Sequence, residues 1–438
     1  MLKTENCYYI IIKQTYIYTF NKAMNNAKRH TDLLIRQLAT IIAVMALAVS
    51  CRHDDTLDMS DSLVTVYPVV DTRIETHVET KALTAGYTPY TGTERQTIYA
   101  FALHTGTATT DVRDSNEDNK GFFSPASLVD ESTNTATEVE GWRSTLQVKR
   151  GNKYQILGHT AIPGVSRTEV TYTPTAFGSD LTYPIHVIAS FSGIDLISNI
   201  DPMVCRASDG SDDENVTPEL NVGTFKKLLI NGTGEGENES LTTKVFLAMD
   251  HMYAKFNLLF RLDDTKVYDD IRTIKLKEVI IKSAAGSGTI SGNHTLDLMT
   301  GNIKLQDNSQ PSYKSLSLNI LNGPSSNAAV KDEGTDMVTL ITDHYKNVGW
   351  FTFLPIPVDA YAIHNLTPAF DITVKYDVFD KDGVCTRQDC FATNSITDKL
   401  IGAEKSKSYD IQITVMPTYL YQLSDNDAKF EWKIEITN

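Results

Sequence analysis

Apolar and polar residues alternate along most of this chain, and the period is two far more often than 3.6. Leu63-Val64-Thr65-Val66-Tyr67-Pro68-Val69-Val70 is apolar and β-branched and predicts a strand. Thr97-Ile98-Tyr99-Ala100-Phe101-Ala102-Leu103 predicts another. Residues 144–149 and 153–159 flank Arg150-Gly151-Asn152, a turn signal, so they predict a compact hairpin. In the second half, residues 243–249, 254–262, 274–281, 350–355, 370–379 and 409–415 carry the same pattern. The last run, 430–436, places Phe430, Trp432, Ile434 and Ile436 on one face. Residues 188–200 are the one stretch that suits a short helix. Many short strands at regular spacing predict an all-β protein of β-sandwich type. Residues 207–240 are polar and glycine-rich, which places a domain boundary near 240. The predicted domains are 63–240 and 241–438.

The first fifty residues break the pattern. Leu38 to Val49 is an apolar run behind Lys28, Arg29 and Arg36. It is shorter than the ~20 residues a bilayer span needs and suits the core of a secretory signal peptide. Ala48-Val49-Ser50-Cys51 follows and resembles a lipobox, with Leu47 one place earlier than the usual pattern. Cys51 is therefore the candidate lipidation site, and 51–62 the tether. A lipoprotein cysteine carries several acyl chains, enough for stable anchoring. Residues 1–23 are unlike a signal, and Met24 is the expected natural start.

Charge narrows the function further. The chain carries −15 overall; six Lys/Arg against two acids give the first fifty residues +4, leaving −19 for the rest. A chain that acidic, with no basic patch, excludes nucleic acid as a partner. Gly286-Ser287-Gly288 and the 232–236 glycines lack the strand-to-helix frame of a phosphate cradle. The acidic run 209–214 lacks EF-hand spacing. There is no metalloprotease or nucleophile-elbow motif, and His251 reads as structural. No catalytic residue, metal or cofactor is expected. Cys385 and Cys390 flank no further metal ligands; in an oxidising compartment they are candidates for a disulfide or for free thiols.

Several short motifs resemble the fimbrillins of Bacteroidales, the subunits of type V pili. Ile98 to Gly106 matches their early strand, and Leu146 to Gly151 with Tyr154 and Ile156 to Ala161 matches a hairpin. His251-Met252-Tyr253-Ala254-Lys255-Phe256 matches the opening of their second half. Gly402, Lys407 and Tyr409 match a later hairpin, with Ser406 where glycine is expected. The resemblance implies two tandem transthyretin-like, Greek-key sandwiches behind a lipoprotein signal. It also implies export to the outer membrane, cleavage by a trypsin-like protease, and release of a first strand, here 63–70. Arg73, Lys81 and Arg95 are the candidate cleavage positions. A strand from another fimbrial subunit then fills the slot, by β-strand addition. Phe430, Trp432, Ile434 and Ile436 are either the donor strand or an ordinary last strand, the latter fitting a tip or accessory subunit. The partners expected are other subunits and a host or bacterial surface ligand. The competing expectation is a surface lipoprotein that binds glycan or peptide, for which Tyr87, Tyr90, Tyr419 and Tyr421 are candidate contacts.

Overall fold

The computed structural model describes residues 63–70, 96–107, 119–125, 138–139, 141–175, 186–208, 228–230, 241–263, 272–284, 287–306, 312–355, 368–417 and 430–437. The chain is all-β. The first strands are β1 (Leu63–Val70), β2 (Ile98–Thr107), β3 (Asn119–Pro125), β4 (Glu138–Val139), β5 (Trp142–Ser144), β6 (Gln147–Lys149) and β7 (Asn152–His159). Next come β8 (Thr171–Thr175), β9 (His186–Asp195), β10 (Ile197–Ser198), β11 (Met203–Ser208), β12 (Leu228–Leu229) and β13 (Leu241–His251). After them run β14 (Ala254–Leu262), β15 (Arg272–Ser283), β16 (Thr289–Asp297), β17 (Asn302–Leu305), β18 (Tyr313–Lys314), β19 (Ser317–Asn319) and β20 (Val338–Thr339). The last are β21 (Lys346–Phe353), β22 (Phe370–Asp380), β23 (Cys385–Ser395), β24 (Ser408–Pro417) and β25 (Phe430–Thr437). A single helical turn, Thr397–Leu400, precedes β24. Among the described residues no helix is long and apolar enough to cross a membrane.

The first sheet has the order β4-β5-β3-β2-β7-β11-β13-β1-β6, with β12 on β7. Its two ends meet. β5 pairs with β3 and β6 with β1, and only Thr145 and Leu146 separate β5 from β6. Thr145 N–H donates to Phe122 O at 3.1 Å, and Val66 N–H donates to Leu146 O at 2.9 Å. The backbone of Leu146 comes so near β3 that a Cβ on Gly121 would lie 2.7 Å from it. Glycine at 121 is what lets the sheet close. Inside lies a core that includes Val64, Val66, Tyr67, Trp142, Leu146, Val148, Ile156 and Leu247.

Three further sheets follow. Their orders are β17-β16-β9-β8, with β18 on β16; β10-β21-β14-β24-β25; and β19-β15-β22-β23, with β20 on β15. They enclose a second, larger core, which also takes Phe101, Leu103, Leu157 and Val204 from the first sheet. Phe256 is central to it: its ring stacks on Phe351 at 5.3 Å and on Tyr409 at 5.1 Å. Both are its direct cross-strand partners.

Two local expectations are corrected. Residues 188–200 form β9 and β10, not a helix. Burial there alternates, with Val187, Ala189 and Phe191 inward, and β9 has ladder partners in both β8 and β16. The 144–159 turn exists, with Gly151 at φ 79°, but its arms are not ladder partners. β6 pairs with β1, whereas β7 pairs with β2 and β11. The turn crosses from one side of the closed sheet to the other. β13 begins at Leu241 yet pairs with β11 and β1, so the first sheet reaches His251.

The fully buried His159 marks where the first and second sheets touch. Its Nδ1–H donates to Thr160 O at 2.5 Å and its Nε2 accepts from the Tyr172 hydroxyl at 2.7 Å. Burial lowers its pKa from 6.5 to about 4, with the nearby Arg167 charge adding to the fall against the opposing Thr160 bond. The unfolded chain therefore binds the extra proton first as pH falls. This contribution to stability is intact above pH 6.5 and is lost progressively down to about pH 4, a change on the order of 3 kcal/mol. Buried His294, also lowered, acts in the same direction, while the raised carboxyl of Asp195 opposes it. Urea midpoints measured across this range should fall with acid, and His159→Gln should flatten the slope; an unchanged slope in that variant would remove His159 as the cause.

Candidate functional site

The first strand occupies a slot between two neighbours with which it forms no hairpin. β1 runs parallel to β13, from Val64 opposite Leu241 to Val70 opposite Leu247. On its other side it is antiparallel to β6, with Leu63, Val64 and Thr65 opposite Lys149, Val148 and Gln147. The link to β2 is residues 71–97, and β13 lies far along the chain. A parallel pair cannot be joined by a tight turn. β1 is thus held by its ladder bonds and by its side chains.

Those side chains define the slot. Val64, Val66 and Tyr67 are buried against Val148, Leu146, Val245 and Leu247, among others of the first core. Burying three such side chains is worth roughly 5 kcal/mol. Pro68 lies past the end of the β6 ladder, opposite Val245 of β13 alone, a position where a residue without an N–H is tolerated. The slot is apolar, and specificity in it comes from which alternate positions of a strand are large.

Arg73, Lys81, Arg95 and Cys51 lie outside the described residues, as do Tyr87, Tyr90, Tyr419 and Tyr421. Phe430, Trp432, Ile434 and Ile436 lie on β25, which pairs antiparallel with β24 from Phe430 opposite Pro417 to Thr437 opposite Asp410. Trp432, Ile434 and Ile436 stand opposite the buried Val415, Ile413 and Ile411. The C-terminal strand is thus paired within its own sheet, at the edge.

Cys385 and Cys390 sit on β23 as free thiols. Their partners on β22 are Phe379 and Tyr376, three residues apart, or about 10 Å along a strand. That is beyond the ~7 Å reach of a disulfide, which explains why no bond joins them here. Among the described residues no group of three or more His, Cys, Asp or Glu is placed to hold a metal ion.

The matched motifs have structural work. His251 Nδ1 lies 2.8 Å from Asp201 Oδ2, and the Tyr253 hydroxyl donates to Asp195 O at 2.7 Å. Lys255 lays its ammonium 4.8 Å from the Trp350 ring. Tyr154 and Tyr409 share one device. The hydroxyl of Tyr154 accepts from Lys149 N–H at 3.0 Å, and that of Tyr409 from Glu404 N–H at 3.1 Å. Three residues before each stands a left-handed residue, Gly151 at φ 79° and Ser406 at φ 61°. Ser406 carries a side chain there because its hydroxyl donates to Asp250 Oδ1 at 2.7 Å.

No family model matches the chain, and no curated protein matches it in sequence. Among solved structures, the chain is similar to a fimbrial protein from Bacteroides vulgatus, at 11% identity and a TM-score of 0.32, covering 86% of this chain and 99% of that one. It is similar to a fimbrial anchor protein from Porphyromonas gingivalis, at 10% identity and a TM-score of 0.27, covering 86% and 96%. A candidate cell adhesion protein from Bacteroides fragilis aligns at 11% identity and a TM-score of 0.33, covering 85% and 97%.

Proposed function

We propose that this chain is a subunit of a cell-surface fimbria, with β1 as a removable occupant of its slot. The observation that carries this is the seat of β1 between β13 and β6, filled by side chains and ladder bonds alone. Export as a lipoprotein through Cys51 brings the chain to the outer membrane. A trypsin-like protease cuts after Arg73, with Lys81 and Arg95 as alternatives, and β1 leaves. A strand from a second subunit then enters by main-chain pairing, its alternate side chains filling the positions of Val64 and Val66. The chain's sheets are arranged as transthyretin-like sandwiches, as the resemblance implies. The pairing of β25 with β24 favours a tip or accessory subunit over one that donates its C-terminal strand.

Intact mass and N-terminal sequencing of the protein from its native outer membrane test this. A mature N-terminus after Arg73, Lys81 or Arg95 is the expected result. A lipidated Cys51 on a full-length mature chain would instead mark an anchor or a stand-alone surface binding protein, and strand release would be abandoned.

A further inference from the structure

Four residues from four separate elements meet where the first and second sheets touch. Arg167 lies in a short 3-10 turn between β7 and β8. Its guanidinium carbon is 4.6 Å from the ring centre of Tyr99, on β2, and 4.8 Å from that of Tyr172, on β8. Both rings are themselves fixed. Tyr172 donates its hydroxyl to His159 and packs on Phe101 at 4.5 Å, while Tyr99 lies 5.5 Å from the His159 ring.

The guanidinium is held by aromatic faces, not by an acid. Among the described residues no carboxylate pairs with it, and its Nε is buried with no hydrogen-bond partner. That is an unusual state for an arginine in a chain of net charge −15. His159, with its pKa near 4, and Tyr172, with its hydroxyl raised to about 12, are both neutral. Arg167 is the charge of this cluster, and its planar donor set matches an oxyanion. Ring stacking holds that set in place before any ligand arrives.

We propose that Arg167, positioned by Tyr99 and Tyr172, binds the carboxylate or sulfate of an acidic saccharide. The rim selects the saccharide. On the turn that carries Arg167 the exposed neighbours are Ser166, Thr168 and Glu169, with the Ser166 and Thr168 hydroxyls 3.0 Å apart; Thr171 and Thr173 alternate with Tyr172 on β8 and face the other side of that strand. Two of the three neighbours carry hydroxyls that suit a hydroxylated ring, and none gives an apolar seat to a peptide side chain. The site stands independently of strand exchange, since none of its residues belongs to β1, β6 or β13.

The test is calorimetric titration of the full mature chain with 3′-sialyllactose, the sulfated, carboxylate-free disaccharide 3′-sulfolactose, and neutral lactose. Binding of one or both acidic probes, weakened by salt, with no binding of lactose, is expected. Sialyllactose alone would identify a carboxylate, and sulfolactose alone a sulfate. Arg167→Gln should weaken binding at least about tenfold, and Arg167→Lys should weaken it too, since charge without the planar fork is not enough. A thermal melt confirms that each variant is folded; if Arg167→Gln does not fold, Arg167→Lys decides. The proposal is overturned if no acidic probe binds at about 10 mM. It is equally overturned if lactose binds as well as they do, or if the deciding variant keeps wild-type affinity.

Discussion

A chain that begins at Asp71, and so lacks β1, is expected not to persist as a stable monomer. Removing Leu63–Val70 takes Val64, Val66 and Tyr67 out of the first core and bares the edges of both β13 and β6. The lost burial is roughly 5 kcal/mol, against a total stability of about 5–15 kcal/mol for a typical domain. Two unpaired edges beside an apolar slot also invite another strand. Size-exclusion chromatography should show association or precipitation. A synthetic peptide with the sequence of residues 63–70 should restore the monomer and the cooperative melt. A truncated chain that stays monomeric, with an unchanged urea midpoint, would mean that β1 is dispensable and that the slot is not the site of assembly.

The second large effect is expected at Phe256. Its replacement by Ala removes a fully buried ring stacked on both cross-strand neighbours, Phe351 and Tyr409. Three strands, β21, β14 and β24, lose their shared contact at once. The expected cost is about 3–5 kcal/mol, because paired strands on both sides limit how far the cavity can collapse. The urea midpoint should fall while the slope of the transition is kept. A loss under about 1 kcal/mol would show that the neighbouring rings refill the space.

Strands with one buried face were legible in the sequence. Residues 274–281, 370–379 and 409–415 lie within strands, because largely alternating burial leaves a period of two in the residues themselves. β23 was not legible. Cys385–Ser395 is polar, mostly exposed and at a sheet edge, so nothing in its composition marks it as a strand. Residues 188–200 misled because their isoleucines and leucines also fit helical spacing; the ladder partners that decide the matter, β8 and the remote β16, leave no mark within the stretch itself. The closure of the first sheet depends on Gly121 meeting Leu146, a contact without a local signal. The seat of β1 was legible as a strand but not as a slot, since its neighbours come from β6 and β13. The Arg167 cluster was invisible, for its members sit on separate elements and the motifs that contain Tyr99 and His159 carry no signal of it. The Ser406 position was readable in part: a glycine was expected there, and the left-handed backbone is present.

β13 has a mechanical consequence. It is the strand beside which the occupant of the slot lies, and after Met252 and Tyr253 it continues as β14, at the centre of the third sheet. A pull on that occupant along its length would be shared by the whole ladder in shear instead of peeling one bond at a time. The load would then leave the first sheet through covalent backbone. With Ser406 pinning Asp250 beside that crossing, tension would enter the Phe256 stack directly and need not depend on the contact between the two cores.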